Sequence, residues 1–352
     1  MRVNPPFAWR VNPHSQSGKA GQRDVVGILL SRGADVNAKD KQGRASVTVW
    51  STDIMQRRTE FRSMTIKMKI SRRRFLTSSA AGIALMGLQG GCTSTQTTPS
   101  KGRFGPFRFG IQAHALRNFP IDEAIRIIHD DLQLHWVEFS RKHLPVEAAA
   151  GEIRRVRALL NQNDITCNAL GVHRFTADHD ANRRVFDFAR SMSVRNVSAN
   201  PSKDSFDSLE KLVAEYNIRI AIHNHGPGAS YDKVADVTDA VKGRHPNIGA
   251  CVDTGHFIRS AEDPIEAIYR LKGRVFGLHV KDVAEQTKKT HDVIIGAGFL
   301  DVDAMFEALK DVNFGADGAL SLEFEGNPDD PVTEIKQCIA VAAEAAQKVA
   351  SS

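Results

Sequence analysis

"IRIAIHNH", residues 218–225, is a short β-type run that ends in polar side chains, with His223, Asn224 and His225 following directly on its apolar residues. The same design recurs three times downstream. IGACVDT (248–254) ends near Asp253, VFGLHVKD (275–282) carries His279, Lys281 and Asp282, and ALSLEFE (319–325) carries Glu323 and Glu325. Toward the N-terminus, FRFGIQA (107–113), HWVEFS (135–140), ITCNALGV (165–172) and VRNVSAN (194–200) are runs of the same kind. Amphipathic helical stretches separate them. Phe206, Leu209, Leu212, Val213 and Tyr216 share one helical face, as do Val302, Met305, Phe306, Leu309 and Val312. Asp263, Pro264 and Glu266 supply a cap, a first-turn proline and a box-like glutamate for the sixth helix. Eight βα units in succession predict an α/β fold of the (β/α)8 TIM-barrel type. An open, doubly wound sheet is the competing architecture, and no Gly-rich dinucleotide fingerprint supports it.

Alternate residues of a barrel strand point inward, and active sites lie where the strands end. Alternation puts His223 with His225, His279 with Lys281, and Glu323 with Glu325 on the inward side, while Asp253 stands two residues beyond Cys251. A single histidine at a strand end is commonly a hydrogen-bonded structural residue. Four consecutive strands each delivering an inward His, Asp or Glu are better explained by a divalent cation, because such groups crowded together repel or lose solvation. Mixed imidazole and carboxylate donors suit Mn²⁺, Zn²⁺, Co²⁺ or Fe²⁺ better than Ca²⁺. Gly296-Ala297-Gly298 precedes the seventh helix, near where barrels often bind phosphate, although a lone G-x-G is more often a turn.

Charge is distributed unevenly. The chain carries a formal +6, yet residues 1–74 hold 16 Lys and Arg against 5 Asp and Glu, leaving 31 against 36 in residues 75–352. The basic character therefore belongs to the N-terminal segment, and the acidic main domain speaks against nucleic-acid binding. Cys92, Cys167, Cys251 and Cys338 lie far apart with no C-x-x-C pair, which excludes a disulfide framework and a thiolate zinc site. The last three read as small buried hydrophobes.

Within the N-terminal segment, GQRDVVGILLSRGADVNAKDKQGRASV (21–47) resembles part of an ankyrin repeat, but a single repeat cannot bury its own apolar face. SRRRFL (71–76) resembles the twin-arginine export signal, followed by a weakly apolar segment, and no acidic residue lies between Arg62 and Cys92. Met64 and Met68 stand just upstream. The expected organisation is therefore an upstream extension over 1–63 that is not native to the protein, a twin-arginine signal peptide over 64–92, a tether over 93–104 and a barrel over 105–352. The export machinery would be a partner, and the destination periplasmic or exported. Cys92 after LQGG resembles a lipid-attachment site with leucine one place too early, so a lipid anchor and simple cleavage stand as alternatives.

GIQAHALRNF, WVEFSRKHLP, VDTGHF, GLHVKDV and GAGFLDVDAMFEALKDVNFGADGALSLEFEGNP, in this order and at these strand ends, resemble the sugar phosphate isomerase/epimerase family. These are the xylose isomerase-like TIM barrels that include D-tagatose 3-epimerases and inosose dehydratases. The resemblance runs from Phe107 to about Ala350. It implies a metal held by Asp253, His279 and Glu323, with His223 standing where the family usually places a glutamate. It also implies proton abstraction next to a carbonyl through a metal-stabilised enediolate. Glu323, His223, Lys281 and His256 are the candidate catalytic residues, His223 serving as ligand or as base. Lys281 beside a metal would have a depressed pKa and serve as base or enediolate stabiliser; an ion pair with Glu325 is its alternative. Glu138, His143, His225, His256 and Glu325 are candidate substrate-binding residues, with loop anchoring the alternative for Glu138 and His143.

The leading expectation is a metal-dependent isomerase or epimerase acting on a small sugar. A lyase, either a dehydratase or an eliminase of 3-keto-glycosides, shares the first step, and the histidine at position 223 gives that branch weight. An abasic-site endonuclease uses the same barrel but needs three metals and a basic groove. A sugar-binding barrel without turnover is the reading from a different class.

Overall fold

The eight β-type runs form the strands of a closed parallel barrel in a computed structural model that describes residues 102–352. The ankyrin-like stretch, the twin-arginine motif, Cys92 and the tether up to residue 101 lie outside the described residues. The barrel strands are β1 (Phe109–Gln112), β2 (Trp136–Phe139), β3 (Thr166–Phe175), β4 (Asn196–Pro201), β5 (Arg219–His223), β6 (Ile248–Asp253) and β7 (Val275–Val280). Two short strands follow, β8 (Asp282–Val283) and β9 (Asp292–Val293), and β10 (Ala319–Leu322) completes the barrel. β10 pairs with both β7 and β1, so the sheet closes and the open-sheet alternative is excluded. β8 and β9 form an antiparallel hairpin above the mouth. Two-residue strands carry no readable period, which is why the sequence pattern does not announce them.

The helices between strands are α1 (Ile121–Arg126), α2 (Ala150–Gln162), α3 (His179–Ser191), α4 (Phe206–Tyr216), α5 (Val234–Val241), α7 (Pro264–Arg270), α8 (Val302–Asp311) and α9 (Val332–Ser351). A short α6 (Thr254–Arg259) sits on the loop after β6. Their apolar faces are those the periodicity predicts. Phe206, Leu209, Leu212 and Val213 of α4 and Val302, Met305, Phe306 and Leu309 of α8 are buried against the strands. Asp263 caps α7 by accepting from the Ile265 amide, with Pro264 in the first turn, whereas Glu266 pairs with Arg270 instead of closing a box. Asp178 and Asp301 cap α3 and α8 in the same way.

The barrel therefore has two interiors. Strand residues that face the helices, such as Ile111, Val137, Val197, Ile222, Val252, Leu278 and Leu322, join one large core. Inside the barrel, Ala221, Cys251 and Phe276 form a small apolar cluster of their own, and polar groups lie above it. Cys167, Cys251 and Cys338 are free and buried, as the spacing predicts. At the end of the barrel opposite the mouth, Phe104 stacks on Phe109 with ring centroids 4.7 Å apart, and Phe107 packs on Phe306 at 5.1 Å. The tether read over 93–104 thus ends before Phe104, which is part of the fold.

Phe306 is fully buried at this junction of α8 and β1. Phe306→Ala is expected to cost about 3–5 kcal/mol, and Asp263→Ala about 1 kcal/mol through the lost cap. Denaturant unfolding followed by circular dichroism measures both, and a Phe306 variant as stable as the parent would contradict this packing account.

Candidate functional site

Register sets the geometry at the mouth. His223 is level with Cys251, Asp253 with His279, and His279 with Ser321. Neighbours in a parallel sheet point to the same side at each level. With Gly277 and Ala319 level with each other below His279, there is room for imidazoles and carboxylates to turn toward the barrel axis. His223, Asp253, His279 and Glu323 each bring one ligand-type atom to within 4.8 Å of the others, and all four are buried. His223 Nε2 lies 2.9 Å from His279 Nδ1 and 3.5 Å from Asp253 Oδ2, and His279 Nδ1 lies 3.3 Å from Glu323 Oε2.

These residues fit a divalent cation. Asp253 Oδ1 accepts from the His256 amide at the start of α6, while Asp253 Oδ2 is buried with no hydrogen-bond partner. A buried carboxylate oxygen without a donor is costly, and a cation among these four residues supplies what it lacks. Burial alone would raise the Asp253 carboxyl, but His256, Lys281 and His223 hold it well below the usual carboxylate range. Glu323 behaves alike: burial pushes it up, and Lys281 and His279 more than reverse that. Both groups are anions ready to ligate.

Glu138 departs from expectation. The sequence places it at the mouth as a substrate-binding residue, but it is fully buried beneath His279 and forms no part of the cavity wall. Its Oε2 accepts from His279 Nε2 at 2.9 Å and from the Ser321 hydroxyl at 3.1 Å. Burial alone would raise its pKa, and the contact with His279 lowers it on balance. Because a carboxylate only accepts, His279 carries a proton on Nε2, and Nδ1 is the nitrogen that faces the cluster and would ligate a cation. Glu138 is thus a positioning residue. His143 is likewise corrected: its nitrogens engage the Ser140 hydroxyl and the Leu116 carbonyl, each at 3.2 Å, and it lines a separate surface depression. It anchors the loop.

The remaining candidates surround a cavity of about 620 Å³. His225 and His256 stack with ring centroids 5.5 Å apart. Burial is the main cause that brings their pKa values down to about 4 and about 3, so both are neutral at pH 7. Arg259 Nη1 donates to His256 Nδ1 at 3.2 Å, which leaves the His256 proton on Nε2. Hydrogen bonding to hydroxyls suits such groups better than proton shuttling. Without a metal, Lys281 is shifted the other way from the depression expected beside one. Burial works toward that depression, but Glu323, Asp253, Glu325 and Asp292 outweigh it and hold the ammonium well above the ordinary lysine value. Lys281 Nζ is 3.0 Å from Glu323 Oε2 and 3.6 Å from Asp253 Oδ2, and it pairs directly with Glu325. The ion pair weighed for Lys281 is present, and it is one of three.

Three features lay beyond the sequence reading. Asp292 comes from the hairpin, accepts from the Glu325 amide at 2.8 Å, and is raised to about 6, chiefly by burial. Arg259 lies three residues past His256, one helical turn, a spacing that could have drawn attention to it. Asp282 accepts from the amides of Val283, Gly296, Gly298, Phe299 and Leu300 at 2.8–3.0 Å. The anion in the Gly296-Ala297-Gly298 turn is therefore the protein's own carboxylate. Gly298 has no room for a Cβ beside Asp282 and the Val283 carbonyl, and Gly296 sits at φ +83°.

A family model described as Xylose isomerase-like TIM barrel matches residues 129–344. Among curated proteins, the chain is similar to a 3-oxo-isoapionate decarboxylase of Pectobacterium atrosepticum, with 28% identity over 158 residues, 40% of this chain and 56% of that protein. It is also similar to an inosose dehydratase of Lacticaseibacillus casei, with 29% identity over 143 residues, 34% of this chain and 46% of that protein. The chain thus spans about half the length of the curated relatives it matches. Among solved structures, an uncharacterized protein of Parabacteroides distasonis superposes with a TM-score of 0.53 and 25% identity, covering 67% of this chain and 97% of that one.

If Glu138 orients His279, Glu138→Gln lowers affinity for Mn²⁺ or Zn²⁺ by about 10-fold or more, and His279→Ala abolishes stoichiometric binding. Competition against a chelating dye reads both, and unchanged affinity in the two variants would remove the metal-site assignment.

Proposed function

We propose that this chain, which belongs to the xylose isomerase-like TIM barrels, is a divalent-metal-dependent enzyme that removes a proton next to the carbonyl of a small sugar or cyclitol. The observation that carries this reading is the convergence of His223, Asp253, His279 and Glu323 at the mouth of the barrel. The adjoining cavity has the size of a small-molecule site. When bound, a divalent cation supplies Lewis-acid polarisation of substrate oxygens.

The chain's own side chains divide the remaining work. Of the two carboxylates in the cluster, only Glu323 also lines the cavity, so it is the group placed to accept the proton. His225 and His256, neutral and stacked, offer hydrogen bonds to hydroxyls. Lys281, held as an ammonium beside Glu323, is a proton donor. Return of a proton to carbon gives isomerisation or epimerisation.

The lyase reading is favoured by one specific observation, the placement of Lys281 Nζ 3.0 Å from Glu323 Oε2 and in an ion pair with Glu325. Epimerisation calls for two interchangeable groups on opposite faces of the substrate. A carboxylate base and a cationic acid side by side form an unequal pair, suited to taking a proton from carbon and giving one to a departing oxygen, which leaves as water or an alcohol. The name carried by one set of relatives, inosose dehydratase, is compatible with that branch.

We further propose that residues 64–92 direct twin-arginine export of the barrel to the periplasm, with a lipid anchor at Cys92 and simple cleavage as the two alternatives. The support is the SRRRFL motif and the acid-free run to Cys92. Intact-mass measurement of the natural protein checks this, and a mature species retaining residues 21–47 would remove it.

For the chemistry, the metal-loaded protein is incubated in heavy water with ketoses and 3-keto-glycosides and followed by NMR. Deuterium next to the carbonyl is expected, with loss of water or an aglycone if elimination follows. Lys281→Met should lower product formation by about 10²-fold or more while exchange persists. No exchange with any carbonyl compound would overturn the proposed activity.

A further inference from the structure

Arg259 is a cation without a counter-ion. Its Nη2 donates to the Lys288 carbonyl at 2.7 Å and its Nη1 to the neutral His256 ring, and its Nε is buried with no hydrogen-bond partner. Among the described residues no carboxylate pairs with it. A guanidinium stays charged at any working pH, and a buried N–H without an acceptor carries the full cost of desolvation. Gly226 leaves the room this group occupies, since a Cβ there would come 3.2 Å from Arg259 Cζ. Arg259 nevertheless forms part of the cavity wall.

The wall holds further cations beside its acids. Arg141 and Lys142 enter from the loop after β2, both exposed, and the hydrogen bond that Lys142 makes is to the Asn118 amide oxygen. Arg141, Lys142, Arg259 and Lys281 are four cations; Asp253, Asp292, Glu323 and Glu325 are four carboxylates. A divalent cation in the cluster leaves this cavity with a formal excess of two positive charges, or of one when Glu138 beneath His279 is included. A neutral sugar would leave that excess of charge unanswered.

We propose that the substrate carries an anionic group, a carboxylate or a phosphate, apart from the reacting carbonyl, and that Arg259 binds it with Arg141 and Lys142 adding to the field. His256 lies between Arg259 and the cluster, with its ring 5.8 Å from that of His223. The anion is therefore a second handle on the substrate, separate from the end that meets the metal ligands. Planar guanidinium N–H groups match the oxygens of either anion. This inference rests on the proposed small-molecule activity and specifies the substrate class.

Calorimetric titration of the metal-loaded full chain with D-glucitol, D-gluconate and D-glucitol 6-phosphate tests it. At least one anion should bind about tenfold or more tightly than D-glucitol, and which one distinguishes carboxylate from phosphate. Arg259→Gln should remove that advantage while metal content and thermal unfolding stay as in the parent. Arg141→Gln, at an exposed position, should weaken the same anion a few-fold, about what one rim charge contributes. No binding of either anion, or a preference that survives Arg259→Gln as it would for an anion resting on the metal alone, overturns the inference. The two levels remain separable. Deuterium exchange into neutral ketoses without anion preference removes this inference alone, whereas anion binding at Arg259 without exchange into any carbonyl compound removes the activity.

Discussion

The hydrogen bond from His279 to Glu138 spans the inside of the barrel, joining β7 to β2 where solvent does not reach. Its physical effect is to decide which face of the imidazole is an acceptor. With a proton held on Nε2, Nδ1 is the nitrogen turned toward His223 and Glu323, where its lone pair would meet a bound cation. Glu138 in turn accepts from Ser321 on β10, the residue level with His279, so the positioning carboxylate is itself fixed by barrel register. A loose Glu138 would leave His279 free to rotate and its ring proton free to move to the ligand side.

Such a polar interior is affordable because stability comes from elsewhere. The large core lies between strands and helices, while Ala221, Cys251 and Phe276 form a small apolar floor in the barrel lumen. Side chains above that floor are consequently free to be chosen for chemistry. The same division explains Asp282. Next to Lys281 in the chain but pointing the other way, it spends both oxygens on loop amides that would otherwise be unsatisfied, and it thereby fixes the loop that leads into α8.

Strand order and inward alternation were legible because both follow from a period of two: the eight runs, and the placement of His223, Asp253, His279 and Glu323, needed nothing more. Depth along the barrel axis was not legible. Glu138 and Glu323 stand at similar places in their own strands, yet strand tilt and stagger put one beneath His279 and the other against the cavity. The carboxylates around Lys281 were not legible either, since they come from β6, the hairpin and the segment after β10, and only folding brings them together. His143 looked like a mouth residue by position and is held instead between the Ser140 hydroxyl and the Leu116 carbonyl.

Lys281 also links the cluster to the cavity. Without a cation among the ligands, its ammonium partly offsets Asp253 and Glu323, so the convergence of acids does not have to wait for a metal to be tolerated. With a cation bound, the negative field of those two carboxylates is shared, and Lys281 depends more on Glu325 and Asp292. Its pKa must then fall relative to the metal-free state, since burial disfavours the ammonium as before while the negative charge around it is reduced. Metal loading thus makes the lysine a stronger acid at the position where a proton donor is wanted, and ties acid strength to occupancy of the site four residues build.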